Sequence, residues 1–298
     1  MTIRDKKPLP QRIAEKSKEL TPLGRQLVHY LTHNLNEAIF LSARELAEKN
    51  DVSLSTVVRF VQQLGYTTYR ELLRDMRERL DTRMSLPERV KIHKNGSNLQ
   101  QIIEREISGE IGNLQSLRSD LDPELLGRLA DRIWEAPQVC VVGARMSLAM
   151  SYYFSWALSR IRSQVSNLDG GNRNSLDWIT LSPKDTLVII FTVMRYPNDL
   201  FHLARLVRWQ GRDLVVIADS RSCPLFQFTD HYLSVPCQHF PLVGSPSALA
   251  CMVNCIIYHM ICNHTQEIQN HQDVLEQIYR ENDIFWNPNE RNRIIEEI

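Results

Sequence analysis

The sequence predicts an α/β protein in two parts, a small all-α domain at the N-terminus followed by a doubly wound, mostly parallel sheet of five strands. Three observations carry this expectation. Apolar residues recur with a helical period from Thr21 to about Leu80. Beyond Pro137, short unbroken Val/Ile/Leu runs alternate with amphipathic stretches, as in a parallel sheet covered on both faces. Between the two, residues 81–98 (DTRMSLPERVKIHKNGSN) lose periodicity and gather Pro, Gly, Ser, Asn and charge. A chain of 298 residues exceeds one ordinary core, so the reading is a first domain over 1–83, a linker over 84–98 and a second domain over 99–298.

Each element has its own signal. Thr21 and Pro22 form an N-cap and a first-turn proline, and Leu23, Leu27, Val28 and Leu31 share one face of the helix they open. Ser42-Ala43-Arg44-Glu45 is a capping box that starts a short helix through Leu46 and Ala47, ended by Asn50-Asp51. Ser53 then caps LSTVVRFVQQLG, which stops at Gly65. Its residues Val57, Val61 and Leu64 face inward by the i, i+4, i+7 rule, and Ser55, Thr56, Arg59, Gln62 and Gln63 lie on other faces. A further helix from about Thr68 to Arg83 turns Leu72, Leu73, Met76 and Leu80 inward, and helices are expected over 99–118 and 122–136. The expected strands are Val139 to Val142, Gln164 to Ser166, Leu187 to Phe191, Leu214 to Ala218 and Tyr232 to Val235. An apolar helix over about Leu242 to His264 and a further helix over 266–283 follow.

Composition narrows the class of function. The 43% hydrophobic and 23% charged content is that of an ordinary globular protein. Net charge is zero, yet residues 1–94 hold 18 Lys+Arg against 12 Asp+Glu and the remainder 17 against 23, so a basic end is joined to an acidic body. That suits a polyanionic partner met by one end only. The six cysteines form no CxxC pair and MTIRDKKPLPQR lacks a signal peptide's apolar core, which points to the reducing cytoplasm. The longest apolar stretch, 248–262, falls short of the roughly 20 residues a spanning helix needs, so no membrane segment is expected.

Two short helices joined by a tight turn, the second opening with small polar residues and carrying an outward arginine, match an element that enters the major groove of DNA. Ser53, Ser55 and Thr56 stand where base edges and phosphates are reached. Arg59 suits guanine or phosphate, Gln62 and Gln63 suit adenine or backbone, and Arg44 suits a phosphate clamp. ELAEKNDVSLSTVVRFVQQLGYTTYRELLRDMRERL resembles the N-terminal domain of the RpiR family, whose helix reads S-x-x-T-V-x-R-F-x-x-x-L-G. Ser53, Thr56, Val57, Arg59, Phe60, Leu64 and Gly65 match that pattern. The resemblance implies a transcription regulator with a helix-turn-helix domain and a C-terminal sugar isomerase (SIS) domain that binds phosphosugars. The partners it implies are a double-stranded DNA operator and a small anionic effector, a phosphosugar or sugar acid.

In a doubly wound sheet ligands lie beyond the C-terminal strand ends. The turn after the first strand supplies Gly143 for a close backbone path, Arg145 as a fork of donors and Ser147 at a helix start. The second strand ends near Asp169, able to accept ligand hydroxyls. The third ends in Thr192, Arg195 and Tyr196, the fourth in Asp219, Ser220 and Arg221. Sugar isomerase domains carry a serine-rich S-x-S-G-x-T loop after the third strand, where this chain reads TVMRYP. It resembles instead a branch of the family with a G-x-R-x-S first loop and an Arg-Tyr pair, here GARMS and MRY. Two arginines favour an anion without identifying it.

A phosphosugar isomerase needs a positioned base, yet no glutamate lies between Glu135 and Glu267, leaving Asp177, His202 and His239. Cys251, Cys255, His259 and Cys262 recur at helical spacing, but among Leu249, Met252, Ile256 and Ile257 they read as a core helix rather than a metal site. His29 and His33, four apart, have no third ligand clearly completing a site. Neither metal nor cofactor is expected. The apolar helix near 242–264 and the helices 99–118 and 266–283 are expected to form a symmetric homo-oligomer, at least a dimer.

Overall fold

A computed structural model of the chain describes residues 9–17, 19–34, 38, 41–73, 75–76, 98–237 and 245–285. The described residues fall into two compact units, those up to Ile103 and those from Glu104 onward. The expected connector 81–98 lies, save for Asn98, outside the described residues.

The first unit is helical: α1 (Leu9–Lys16), α2 (Pro22–His33), α3 (Ala43–Lys49) and α4 (Leu54–Gln63), with residues 69–73 and 75–76 helical beyond them. Its starts are set by the caps read from sequence. Thr21 Oγ1 accepts the Gly24 N–H at 3.1 Å, and Ser42 and Glu45 close a reciprocal capping box at 3.2 and 2.6 Å. Leu27, Leu31, Leu46, Val57, Phe60, Val61, Leu64, Leu72 and Met76, each at most 1% exposed, form one core. Burial of such side chains contributes about 1.5–3 kcal/mol each. Phe60 joins the inward face of α4 beside the three residues expected there, whereas Leu23 on α2 is exposed.

The turn between α3 and α4 is tight. Asn50 is buried and its Nδ2 donates to Leu46 O at 2.9 Å, Asp51 adopts a left-handed φ of 52°, and Val52 N–H returns to Ala47 O at 3.0 Å. At the far end of α4, Gly65 takes φ 79°, Gly65 N–H donates to Gln62 O at 2.9 Å and Tyr66 N–H to Val61 O at 3.1 Å. This doubly bonded stop ends the helix where sequence places it.

The second unit begins within α5 (Leu99–Asp120), followed by α6 (Pro123–Glu135) capped by Asp122. The chain then alternates as β1 (Gln138–Gly143), α7 (Met146–Ser159), β2 (Val165–Asp169), α8 (Asn174–Leu181), β3 (Thr186–Thr192), α9 (Asn198–Trp209), β4 (Leu214–Ala218), a short 3₁₀ segment (Pro224–Phe228) and β5 (His231–Ser234). Helices α10 (Ser247–Asn263) and α11 (Thr265–Glu281) follow. All strand pairs are parallel in the order β2-β1-β3-β4-β5.

Strand alternation divides the apolar residues between two layers. Val139, Val141, Leu187, Ile189, Phe191, Val215 and Ile217 pack with residues of α6, α7 and α10. Cys140, Val142, Val188, Ile190, Val216 and Ala218 pack with Ile179 of α8 and Leu200, Leu203, Ala204 and Val207 of α9. The sheet is thus covered on both faces, and the winding direction reverses between β1 and β3. Leu99, Ile103, Ile107, Ile111 and Leu114 of α5 make a stripe between 38% and 71% exposed, while Leu117 on the last turn is buried. No helix among the described residues is long and apolar enough to cross a membrane.

Candidate functional site

In the first unit, the residues expected to meet DNA share the outward side of α4 and the start of α3. Arg44, Ser53, Ser55, Arg59, Gln62 and Gln63 are exposed and Thr56 is half-buried. Ser53 Oγ accepts the Thr56 N–H at 3.2 Å and lies 2.8 Å from both Ser55 Oγ and Thr56 Oγ1, so three hydroxyls cluster at the helix start. Within the first turn such a cluster presents donors and acceptors where the helix dipole favours an anion. The capping-box hydrogen bond from Ser42 N–H holds the Glu45 carboxyl below its usual range and fixes the start of α3 next to Arg44.

A brace on α4 comes from α1, which sequence reasoning did not foresee. Arg12 donates to Leu64 O at 3.0 Å and Gly65 O at 2.7 Å, and its guanidinium lies 4.4 Å from the centre of the Tyr66 ring. A cation against the last carbonyls of a helix is favoured by the helix dipole. A Cβ on Gly65 would come within 2.8 Å of Arg12 Nη1, so the glycine serves both the left-handed turn and this contact. Tyr66 Oη and the Leu9 N–H both donate to Asp75 Oδ2, the latter at 2.8 Å. The only sequence signal was the Leu9 and Ile13 spacing in LPQRIAEK, too short to stand out.

In the second unit, the C-terminal ends of β1 and β3 are neighbours, with Val142 paired to Ile190. Arg145 follows β1 and Arg195 follows β3. Both are exposed, both adopt left-handed φ values of 54° and 63°, and neither has an ion pair among the described residues. Left-handed backbone at a non-glycine residue costs on the order of 1–3 kcal/mol and gathers at ligand sites. Gly143 is required sterically: a Cβ there would lie 2.6 Å from the Ser147 carbonyl carbon and 2.7 Å from Ser151 Oγ. Ser147 is buried, its hydroxyl accepting the Ala144 N–H at 3.1 Å and donating to Ala144 O at 2.8 Å, so it braces the turn that presents Arg145.

The third and fourth strand ends are tied together by Asp219, 7% exposed, whose carboxylate accepts the Met194 N–H at 2.7 Å and the Tyr196 hydroxyl at 3.1 Å. Burial, with the Asp219 charge added, pushes the Tyr196 hydroxyl well above its ordinary range. Thr192 is fully buried and its Oγ1 has no hydrogen-bond partner among the described residues. Ser220 is buried and engaged with Ser222 at 2.8 Å, and Arg221 pairs with Asp120 at 3.5 Å. Asp169 is exposed, its Oδ1 accepting the Gly171 N–H at 2.9 Å. Of the effector residues expected from sequence, Arg145, Arg195 and Asp169 present side chains to solvent, and Ser147 and Ser220 turn theirs inward.

Comparison with known proteins decides what these two constellations belong to. Residues 8–83 match the family described as "Helix-turn-helix domain, rpiR family" and residues 132–262 match "SIS domain". The chain pairs an rpiR-family helix-turn-helix domain with a SIS domain. Its relatives include an HTH-type transcriptional regulator of Providencia stuartii, 23% identical over 194 residues that cover 65% of this chain and 68% of the relative. Another is the HTH-type transcriptional regulator YfhH of Escherichia coli, 26% identical over 153 residues, 50% of this chain and 54% of the relative. Among solved structures, the sugar isomerase domain of an RpiR transcription factor from Sphaerobacter thermophilus aligns at TM-score 0.57 and 20% identity, covering 59% of this chain and 99% of that one. The Vibrio vulnificus NanR protein complexed with ManNAc-6P aligns at TM-score 0.58 and 17% identity, covering 94% of this chain and all of that one.

Within the SIS domain the cysteine-bearing helix α10 serves packing. Cys251 and Cys255 lie against the core, His259 Nε2 is 3.3 Å from Asp131 and 2.9 Å from Asn263 Nδ2, and Cys262 is exposed. Among the described residues no group of three or more His, Cys, Asp or Glu is placed to hold a metal ion. In the rpiR-type domain His29 and His33 stack at 4.0 Å between ring centroids. Asp177 and His202, the described candidates for a catalytic base, are exposed on α8 and α9; His239 lies outside the described residues.

Proposed function

We propose that the chain is a transcription regulator in which α4 reads the major groove of an operator and the SIS domain binds a small anionic metabolite, a phosphosugar or sugar acid, that alters operator affinity. The observation that carries the sensing half is the pair Arg145 and Arg195. They stand on adjacent strand ends in left-handed conformations, with no carboxylate partner among the described residues. Two guanidiniums carried on neighbouring strand ends favour an anion within reach of both. The ManNAc-6P complex of the Vibrio protein supports a phosphosugar as the class to try first.

The domains are assigned to 1–83 and 99–298 with a linker at 84–98, and the working compartment is the cytoplasm. No catalytic role is assigned. The acting species is a homo-oligomer, at least a dimer, assembled through the exposed stripe of α5 and the exposed Val274 and Ile278 of α11; a dimer carries two α4 helices for the two half-sites of one operator. Light scattering at micromolar concentration should give at least a dimer, and a monomer would contradict this assembly.

The test of function is calorimetric titration of phosphosugars and sugar acids into the full chain and into Arg145→Ala and Arg195→Ala. One compound should bind the wild type, each variant should bind it at least tenfold more weakly, and both variants should keep their folded spectra. Undiminished binding by both variants would place the effector elsewhere.

A further inference from the structure

Three apolar side chains of α4, Val57, Phe60 and Val61, and that of Leu64 just beyond it are buried to 1% exposure or less, but two in α4 are not: Leu54 is 48% exposed and Val58 43%. Residues four apart lie one above the other on a helix. Leu54, Val58 and Gln62 therefore make one outward row, and Ser55 and Arg59 make the row beside it. A solvated helix gains nothing from a valine, whose β-branching lowers helix propensity. A polar residue would serve better at position 58 unless something apolar meets it, and Leu54 one turn before makes the row an apolar pair; such breaches of local preference gather at functional sites.

Among the base edges of the major groove the C5-methyl of thymine is the apolar feature. We infer that Leu54 and Val58 dock against thymine methyl groups, making them specificity-determining residues beside the hydrogen-bonding Ser55, Arg59 and Gln62. The inference rests on α4 being the DNA-reading helix. It assigns a division of labour within that helix: Arg59 and the hydroxyls supply charge and hydrogen bonds, and the Leu54–Val58 row supplies discrimination of thymine from cytosine at little salt cost.

The experiment starts with the full chain and a random duplex library, from which a binding site is enriched. Each thymine of that site is then replaced singly by deoxyuridine, which removes one methyl group and leaves every hydrogen-bonding edge in place. Affinities are measured by fluorescence anisotropy for the wild type, Leu54→Ala and Val58→Ala. At least one replacement per half-site should weaken wild-type binding about fourfold, the value of one buried methyl, and should have no effect in the variant lacking the contacting side chain. An enriched site whose thymines all tolerate deoxyuridine would overturn the inference while leaving DNA reading by α4 standing. Losses that persist in both variants would assign the methyl groups to other residues and overturn it equally. Variants that bind DNA normally but change oligomeric state would give this row to a second copy of the chain instead. Failure to enrich any sequence would overturn the DNA-reading proposal itself.

Discussion

Replacing Gly143 by alanine puts the geometry of the SIS-domain turn to a direct test. The added Cβ would lie 2.6 Å from the Ser147 carbonyl carbon, 2.7 Å from Ser151 Oγ, and closer still to Ser147 O. Two of the three obstacles are backbone atoms in the first turn of α7, so no side-chain rotation relieves them. Either β1 and α7 separate or the turn is rebuilt. Overpacking of a closed core costs about 1–3 kcal/mol, and a backbone obstruction belongs at the upper end. For a domain of about 150–250 residues each kcal/mol moves the melting temperature by roughly 2–4 °C, so the shift should be roughly 6–12 °C downward. The assay is thermal unfolding followed by tryptophan fluorescence, which reports on the second unit because the described tryptophans, Trp134, Trp156, Trp178 and Trp209, all lie there. Effector binding should fall with it, since the same turn presents Arg145. A variant that melts within 2 °C of the wild type and binds effector normally would refute the account of this turn.

Arg12→Ala removes two hydrogen bonds to the end of α4 and the contact with Tyr66, so the helical domain should lose about 1–2 kcal/mol; amide exchange should quicken over 54–66, and unchanged protection there would contradict the brace. The Glu45 carboxyl is held below its ordinary range by the capping box, so its stabilising contribution is present above the unfolded carboxyl value and lost as pH falls through the folded one. Protection of the α3 amides should accordingly drop on acidification in the wild type and lose that dependence in Glu45→Gln, as read by exchange at several pH values. Burial pushes the Cys140 and Cys223 thiols up to about 12, whereas Cys262 is exposed. A thiol reagent at neutral pH should label Cys262 in the native protein and reach Cys140 and Cys223 only after denaturation, as peptide mapping would show.

How much of the fold is legible in the sequence depends on how locally each feature is determined. β1, β3 and β4 were legible because a strand buried on both faces must be continuously apolar, and VCVV, LVIIF and LVVIA are. β2 is an edge strand of half-buried residues ending in Asn-Leu-Asp, so only its beginning stood out. The starts of α2, α3 and α4 were legible because a cap is a contact within three residues. Arg12 on Leu64 and Gly65, and Arg221 on Asp120, join residues 52 or more positions apart and left no periodic trace. The same limit applies to Ser147, at the start of α7, and Ser220, in the loop after β4. Whether a hydroxyl faces a ligand or its own turn depends on a rotamer that spacing does not encode.

The claim on which the account turns is that the exposed side of α4 reads a specific DNA sequence. It is tested most directly by the affinity of wild type and Arg59→Ala for the enriched site and for a scrambled duplex, measured side by side at several salt concentrations. The wild type should prefer the enriched site by orders of magnitude and lose affinity steeply with salt. Arg59→Ala should bind that site about 5- to 150-fold more weakly, the equivalent of about 1–3 kcal/mol. Equal affinity of the two proteins for the enriched site would contradict the claim.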